Sequence, residues 1–208
     1  MARVLLPAAE RRERKTRMKR EAILRSAAAA FRRRGYHGTS MEDISEALLM
    51  TKGSLYYYFK DKEEILYACH DFSLDRVLET TKRVMDEQKG APAAEKLSAL
   101  IDALVHVMID DLQGSALALD FSVLKEEPLQ KIIARRDLFE RAMRSVVQEG
   151  VKAGQFRKTD PKLASFAILG AINWISKWYR TDGAFSASDI ARMYADLFVE
   201  GLKKETAV

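Results

Sequence analysis

One short stretch of this chain concentrates side chains that can contact phosphates and the edges of bases. Residues 51–59 read Thr-Lys-Gly-Ser-Leu-Tyr-Tyr-Tyr-Phe. Thr51 is a good N-cap for a helix, and Leu55 and Phe59, four residues apart, would anchor one face of that helix to a core. The side chains left facing outward are those of Lys52, Ser54, Tyr56, Tyr57 and part of Tyr58. A helix that presents hydroxyls, an ammonium group and phenols at its start suits contact with nucleic acid.

Nine residues in and around this helix are candidates for contact with DNA. They are Thr39, Ser40, Thr51, Lys52, Gly53, Ser54, Tyr56, Tyr57 and Lys60. The hydroxyls and lysines can clamp phosphates, and a tyrosine can add contact to a thymine methyl group. Gly53 lacks a side chain where the helix must approach a groove, and the N–H groups at the helix start favour a phosphate. Tyr58 has two open interpretations, because beside Phe59 it can equally pack the small domain.

Two neighbouring elements must position this helix. Ser40, or Thr39 beside it, can cap a preceding short helix, and Asp43 suits the positive end of that helix. Before it, an apolar repeat at every fourth residue predicts a helix over about 17–34, which Gly35 ends in the left-handed conformation. The pattern predicts two short helices joined by a tight turn and preceded by a longer one.

Positive charge is concentrated in the first third of the chain. Residues 11–62 contain 14 Lys/Arg against 6 Asp/Glu, a net charge of +8, whereas the chain as a whole carries +5. Such a run can equally be a solvated basic face, but its coincidence with the helix pair favours a polyanionic partner. We expect residues 11–20 to form a flexible basic arm. The arm contacts phosphates or the minor groove, or adds only salt-dependent attraction.

The composition predicts a globular all-α protein. The chain has 208 residues, 48% of them apolar, and lacks an apolar run long enough to span a membrane. Its single cysteine, Cys69, cannot form an internal disulfide, so we expect the protein to be cytoplasmic. About nine helices are predicted, the fourth running to about residue 87 and the later ones at about 92–112, 115–124, 127–152, 160–181 and 186–204.

The chain resembles the tetracycline-repressor (TetR) family of bacterial transcription regulators. The motifs that carry the resemblance are Ala22-Ile23-Leu24, Ala29-Ala30-Phe31, Gly35-Tyr36, Gly38-Thr39-Ser40-Met41-Glu42-Asp43-Ile44, Thr51 to Phe59, and Lys62-Glu63-Glu64-Ile65-Leu66. The family commonly has glycine where this chain has Leu49, in the turn between the two helices. A positive φ is favoured at that position and is costly for leucine.

The resemblance implies a sequence-specific DNA-binding regulator, a repressor that a small ligand releases from its operator. It implies a DNA-binding domain over residues 17–77, with the motif at about 40–59, and a ligand-binding and dimerisation domain over residues 78–208. The partners it implies are a palindromic double-stranded operator, the ligand and a second copy of the chain. The last two helices should form the dimer interface, with Ala167, Leu169, Gly170, Trp178, Tyr194, Phe198 and Gly201 in it.

A second segment narrows the expected ligand. Residues 172–180, Ile-Asn-Trp-Ile-Ser-Lys-Trp-Tyr-Arg, followed by Asp182-Gly183, resemble the eighth helix of family members that regulate fatty-acid and acyl-CoA metabolism. That resemblance implies an acyl-CoA-like effector in an apolar tunnel with a cationic mouth. Candidate wall residues are Val105, Met108, Ile109, Leu117, Phe121, Ile168, Asn173 and Trp174. Arg135 and Arg136 are candidates for the charged end. Each of these apolar side chains could equally be ordinary core.

The alternatives are an all-α enzyme and a nonspecific nucleic-acid-binding helical protein. We expect no enzyme, because His37, His70 and His106 are scattered and no catalytic pair is present. His106 and Asp110 share a helix face, but further metal ligands are missing around them, so a pocket or core histidine is favoured. We therefore expect neither a metal nor a cofactor.

Overall fold

The computed structural model describes residues 7–110 and 116–204, and within these ranges the chain is all-α. Its eight helices are α1 (Ala8–Arg34), α2 (Met41–Ala47), α3 (Lys52–Tyr58), α4 (Lys62–Glu87), α5 (Ala93–Ile109), α6 (Glu126–Lys152), α7 (Pro161–Trp178) and α8 (Ala187–Leu202). The described residues form no strand, and one isolated antiparallel bridge joins Phe156 to Lys203. No helix in these ranges is long and apolar enough to cross a membrane.

The chain divides into two compact units, Met1–Cys69 and His70–Val208, with the division inside α4. In the first unit α2 contacts both α1 and α3. Its core is formed by the fully or almost fully buried side chains Ile23, Leu24, Ala27, Phe31, Met41, Ile44, Leu55, Phe59, Ile65 and Leu66. The boundary predicted from sequence, between a DNA-binding domain that ends at residue 77 and a ligand-binding domain that begins at residue 78, stays a prediction.

Helix α1 is longer than the sequence pattern predicts. It begins at Ala8, so residues 11–20 form helix and the expectation of a flexible arm was wrong. The apolar periodicity marks only the buried half of the helix, whereas Arg, Lys, Glu and Met extend it because they are good helix formers. Gly35 ends the helix with φ 72° and ψ 168°, a backbone region that only glycine adopts readily.

In the second unit α5 contacts α6, α7 and α8, and α6 also packs against α7. Buried Leu97, Leu100, Ile101 and Val105 line one side of α5 and form the centre of this core. The predicted helices at 92–112 and 115–124 extend into residues 111–115, which lie outside the described residues. Beyond that gap only Ala116 and Leu117 are helical, and residues 118–124 are not, so the predicted short helix was wrong there.

Candidate functional site

The helix pair α2–α3 is defined by side-chain caps at both starts. The Ser40 hydroxyl accepts from the Asp43 N–H at 3.1 Å, and the Asp43 carboxylate accepts from the Ser40 N–H at 2.8 Å, which completes a capping box. Thr51 Oγ1 accepts from the Ser54 N–H at 3.2 Å. The two caps predicted from sequence, Ser40 and Thr51, are confirmed. They fix where each short helix begins and therefore which side chains its first turn presents.

The turn between the helices depends on Leu49. Its φ is 51°, and it is the only non-glycine residue with a positive φ in the described chain. The N–H groups of Leu49 and Met50 donate to the carbonyls of Glu46 and Ser45 at 3.0 and 2.9 Å. The Leu49 side chain is 98% exposed, so it makes no packing contribution that offsets the strained backbone. The positive φ that the family resemblance implies at this position is confirmed.

Helix α3 is held to the first unit from its buried face. Leu55 and Phe59 are almost completely buried, as predicted. Arg20 of α1 donates from Nη1 to the Tyr58 carbonyl at 2.8 Å and lies over the Phe59 ring at 4.3 Å. This contact satisfies a carbonyl at the end of α3 and adds a cation–π interaction. Sequence reasoning missed the role of Arg20, because nothing in its spacing separates it from the other basic residues of α1.

The opposite face of α3 presents most of the predicted contact residues to solvent. Thr51, Lys52, Gly53, Ser54, Tyr56, Tyr57 and Lys60 are all exposed. Tyr57 is 76% exposed and Tyr56 44%, whereas Tyr58 is half-buried with its ring against Tyr57. A Cβ added to Gly53 would meet nothing within 4 Å, so glycine is not required there by packing inside this chain. The arrangement brings seven of the nine candidates onto one accessible surface, which we call the α3 face.

The Thr39 and Ser40 hydroxyls form hydrogen bonds within the first unit. Thr39 is 1% exposed and donates its hydroxyl to the Gly35 carbonyl at 2.9 Å, so the predicted phosphate clamp at Thr39 was wrong. Its position in the turn after α1 turns the side chain inward. Ser40 is half-buried, and its hydroxyl is engaged with Asp43 at 2.7 Å. Lys62 supports the same turn by donating to the Tyr36 and Thr39 carbonyls at 2.8 and 3.0 Å.

The Lys52 ammonium group is paired with the Glu42 carboxylate of α2. The hydrogen bond between them raises the pKa of Lys52 and lowers the pKa of Glu42. Both side chains are about half exposed, so water screens the pair and its contribution to stability is small. Glu42 was not predicted as a functional residue. A separation of ten residues across a turn follows no helical pairing rule, so only the structure shows the contact.

The predicted ligand residues fall into different environments of the second unit. Val105, Met108, Leu117 and Ile168 are buried, and Ile109, Phe121 and Asn173 are half-buried. Trp174, however, is 64% exposed, so its prediction as a wall residue was wrong. The buried face of α7 carries Ile168, Ile172 and Ile175, and Trp174 lies on the outward side of that helix.

Arg135 and Arg136 are adjacent in sequence but differ in their partners. Arg135 is bound by the Asp71 and Asp75 carboxylates of α4, so its charge is already compensated. Its assignment to a charged ligand end stays a prediction. Arg136 has no carboxylate of the described residues within ion-pair distance. Its Nη1 donates to the Leu117 carbonyl at a long 3.3 Å, and its guanidinium lies 4.8 Å from the Phe121 ring centre. Burial lowers the pKa of Arg136.

His70 of α4 completes this cluster. It is fully buried, its ring lies 5.5 Å from that of Phe121, and neither ring nitrogen has a hydrogen-bond partner among the described residues. Burial, with a smaller contribution from the nearby Arg136 charge, lowers the pKa of His70 to about 3. Sequence reasoning treated His70 as one of three scattered histidines. The available signal was its place on the apolar stripe of α4, four residues after Leu66 and seven before Val77.

An open groove of about 900 Å³ lies elsewhere in the second unit and includes none of the predicted ligand residues. Its charged lining is formed by Arg83, Glu87, Glu95, Asp102, Arg192 and Asp196. The acidic side chains outnumber the basic ones, which does not suit a polyphosphate. His106 borders this groove with Nδ1 2.9 Å from the Asp102 carbonyl. In the described residues no group of three or more potential ligands could hold a metal ion.

Comparison with known proteins agrees with this geometry. The family model described as bacterial regulatory proteins, tetR family, matches residues 23–69, and the tetracyclin repressor-like C-terminal domain matches residues 90–202. The HTH-type transcriptional repressor KstR2 of Mycobacterium tuberculosis is 27% identical over 195 residues, covering 90% of this chain and 94% of the relative.

Two solved structures are similar over nearly their whole length. The TetR family transcriptional regulator PfmR from Thermus thermophilus is 33% identical with a TM-score of 0.77, covering 88% of this chain and 99% of that chain. AibR in complex with isovaleryl coenzyme A and operator DNA is 29% identical with a TM-score of 0.76, covering 88% and 97%.

The capped helix pair and the all-α second unit define a helix-turn-helix transcriptional regulator. The chain belongs to the TetR family of bacterial regulatory proteins. Its α3 is therefore the recognition helix of a DNA-binding domain.

Proposed function

We propose that the protein is a homodimeric repressor that an acyl-CoA-like effector releases from a palindromic operator. The observation that carries the proposal is the α3 face, with exposed Lys52, Ser54, Tyr56 and Tyr57 on a helix capped at Thr51. These side chains read base edges or contact phosphates, while Lys60 and the half-exposed Ser40 contact the backbone of the duplex. As a regulator of genes it acts on DNA in the cytoplasm.

Apolar side chains left exposed on α7 and α8 support the homodimer. On α7 they recur at helical spacing and form one outward stripe of Leu163, Phe166, Trp174 and Trp178, with the exposed Gly170 between them. On α8, Met193 and Leu197 are more than 60% exposed and lie one turn apart. Exposed apolar stripes of this kind mark interaction surfaces, and two helices from each subunit would bury them in a four-helix interface. Leu169, predicted at that interface, is instead 9% exposed and packs within the unit.

The effector class rests on two supports. The structurally similar AibR has been solved with isovaleryl coenzyme A and operator DNA. Buried apolar residues of this chain, including Val105, Met108 and Leu117, can surround an acyl chain near Arg136, which forms no ion pair with the described residues. Of the predicted charged pair, Arg136 suits this role better, because Arg135 is already paired with Asp71 and Asp75.

Selection of operators from genomic DNA with the purified full chain, followed by fluorescence anisotropy, tests the function. We expect a palindrome whose half-site centres lie about 34–36 Å apart or a multiple of that spacing. Tyr57→Ala, Tyr56→Ala and Lys52→Ala should each weaken operator binding with an unchanged circular dichroism spectrum. A matched control is Tyr179→Ala, which lies in the second unit.

The outcomes separate this function from its alternatives. A large ratio of specific to nonspecific affinity supports a regulator, whereas steep salt dependence without sequence preference would leave only a nonspecific binder. Loss of the DNA complex on addition of an acyl-CoA supports repression that is relieved by ligand. A monomer in light scattering at micromolar concentration would contradict the dimer.

A further inference from the structure

The interior of the second unit holds an imidazole, that of His70, to which the described part of the chain makes no hydrogen bond. Both ring nitrogens of His70 are buried and have no hydrogen-bond partner in residues 7–110 and 116–204, although a neutral imidazole has one donor and one acceptor. Most buried polar groups in proteins are hydrogen-bonded, because leaving one unpaired costs stability. An orphaned imidazole in a core is therefore a position where a ligand group can complete the bonding.

A second unsatisfied group lies next to it. Arg136 carries five N–H donors, and the structure gives it one long hydrogen bond to the Leu117 carbonyl and a contact with the Phe121 ring. Ile132, one turn earlier on the same face of α6, is completely buried. The guanidinium thus stands at the edge of an apolar interior with most of its donors unused by the described residues.

The Phe121 ring links the two groups. Its centre is 5.5 Å from the His70 ring and 4.8 Å from the Arg136 guanidinium carbon, so both polar groups contact one aromatic side chain. Phe121 belongs to the non-helical segment 118–124. An aromatic side chain on such a segment can rotate to admit a ligand more easily than one inside a helix bundle.

We propose that His70 and Arg136 together bind the acyl oxygen of the effector, with the Phe121 ring against its chain. This rests on the proposed ligand-responsive function and deepens it by naming the group that is recognised. A neutral imidazole donates one hydrogen bond, and the guanidinium donates a second, charge-assisted one to the same oxygen or to its neighbour. A thioester carbonyl and a free carboxylate both supply such an oxygen.

Comparison with the adjacent Arg135 shows why we assign the ligand oxygen to Arg136. Arg135 has two carboxylate partners and Arg136 has none among the described residues. A ligand oxygen at Arg135 would have to displace Asp71 or Asp75. At Arg136 it would replace only a 3.3 Å contact. The two arginines therefore form a pair of test and control that carry the same charge, are adjacent in sequence and differ in their partners.

The experiment is isothermal titration of the DNA-free full chain with saturated acyl-CoA thioesters from butyryl to palmitoyl, isovaleryl-CoA, the matching free acids and coenzyme A itself. We expect wild type to bind one thioester or acid series. His70→Leu and Arg136→Gln should each weaken that binding about tenfold or more, because each removes a hydrogen bond to the ligand. Arg135→Gln and His106→Gln should retain the wild-type affinity.

A second readout separates recognition from mere support of the fold. His70→Leu should raise the melting temperature, because it replaces an unpaired buried polar group by an apolar one, while ligand affinity falls. In spectra of ¹⁵N-labelled histidine, the His70 ring nitrogens should shift on ligand addition and those of His37 should not. If Arg136→Gln fails to fold, His70→Leu and these spectra still decide the matter.

Each outcome is informative. Binding in wild type with lost affinity in both variants supports the site, and the thioester or acid series identifies the source of the oxygen. Equal affinity in wild type and both variants overturns the site but leaves the repressor and its effector intact. Coenzyme A alone binding as well as its thioesters overturns recognition of the acyl group. No binding of any thioester or acid, with operator binding normal, overturns both the site and the effector class.

Discussion

Lys52, the cation at the start of the recognition helix, is ion-paired with Glu42 of the preceding helix. In the DNA contact that we propose for Lys52, the ammonium group exchanges this carboxylate for a phosphate or a base edge. We expect Glu42→Gln to strengthen operator binding about two- to tenfold, because it releases the ammonium group and removes a negative charge beside the DNA. Fluorescence anisotropy at several salt concentrations measures this directly.

Glu46→Gln is the matched control for that change. Glu46 lies on the same short helix, is exposed and changes the net charge equally without touching Lys52. A similar gain in both variants would show general electrostatics and contradict a specific role of the Glu42 pair.

Substitution of Gly53 should affect stability and operator binding in opposite directions. Because a Cβ at this position has open space around it, Gly53→Ala should stabilise the free protein by up to about 1 kcal/mol through helix propensity. If α3 approaches the groove closely, the same methyl group should weaken operator binding. Urea unfolding and anisotropy measure the two effects, and unchanged operator affinity would remove the argument for close approach.

The sequence was most informative where a residue acts on its immediate neighbours. The caps at Ser40 and Thr51 and the anchors Leu55 and Phe59 follow from spacing along one helix. The partners of Lys52 and Arg135 depend on which helices meet, and no local periodicity encodes that. The prediction that Trp174 lines the ligand site was wrong for a similar reason, since helical spacing identifies an apolar face without indicating which neighbour covers it.

Leu49 carries a strain that can be removed without loss of packing. An L-residue in the left-handed region costs about 1–2 kcal/mol, and glycine recovers most of this at some cost in chain entropy. We expect Leu49→Gly to leave the free energy of unfolding unchanged or raise it by about 1 kcal/mol, as measured by urea denaturation.

Leu48→Gly is the contrasting variant in the same turn. Leu48 has φ −99° and is half-buried, so glycine there adds entropy to the unfolded chain and removes contacts. It should destabilise the protein by about 1 kcal/mol or more. Equal losses in the Leu48 and Leu49 variants would mean that the positive φ carries no cost.

His70 should make the protein sensitive to mild acid. Its pKa falls from 6.5 to about 3 on folding, since burial and Arg136 oppose its protonation more than Asp120 favours it. The stability that depends on neutral His70 is therefore fully present above pH 6.5. It is lost as the pH falls toward 3, because the unfolded chain takes up the proton first. Between about pH 7.5 and 5, wild type should lose about 2 kcal/mol more than His70→Leu.

Urea unfolding at both pH values measures the difference between wild type and the variant, and the titration of other groups largely cancels in it. His37→Gln, at an exposed histidine, should behave as wild type does. A pH-independent difference between wild type and His70→Leu would contradict the buried, uncharged state.

Residues 11–20, almost three turns of α1, carry a high density of positive charge. Seven of the ten residues from 11 to 20 are basic, and like charges recur three apart at Arg11, Arg14, Arg17 and Arg20. At this spacing the positive side chains repel one another and destabilise the helix, so bound anions should stabilise it. The helicity of this segment would then report its ionic surroundings, rising when a duplex or another polyanion neutralises it.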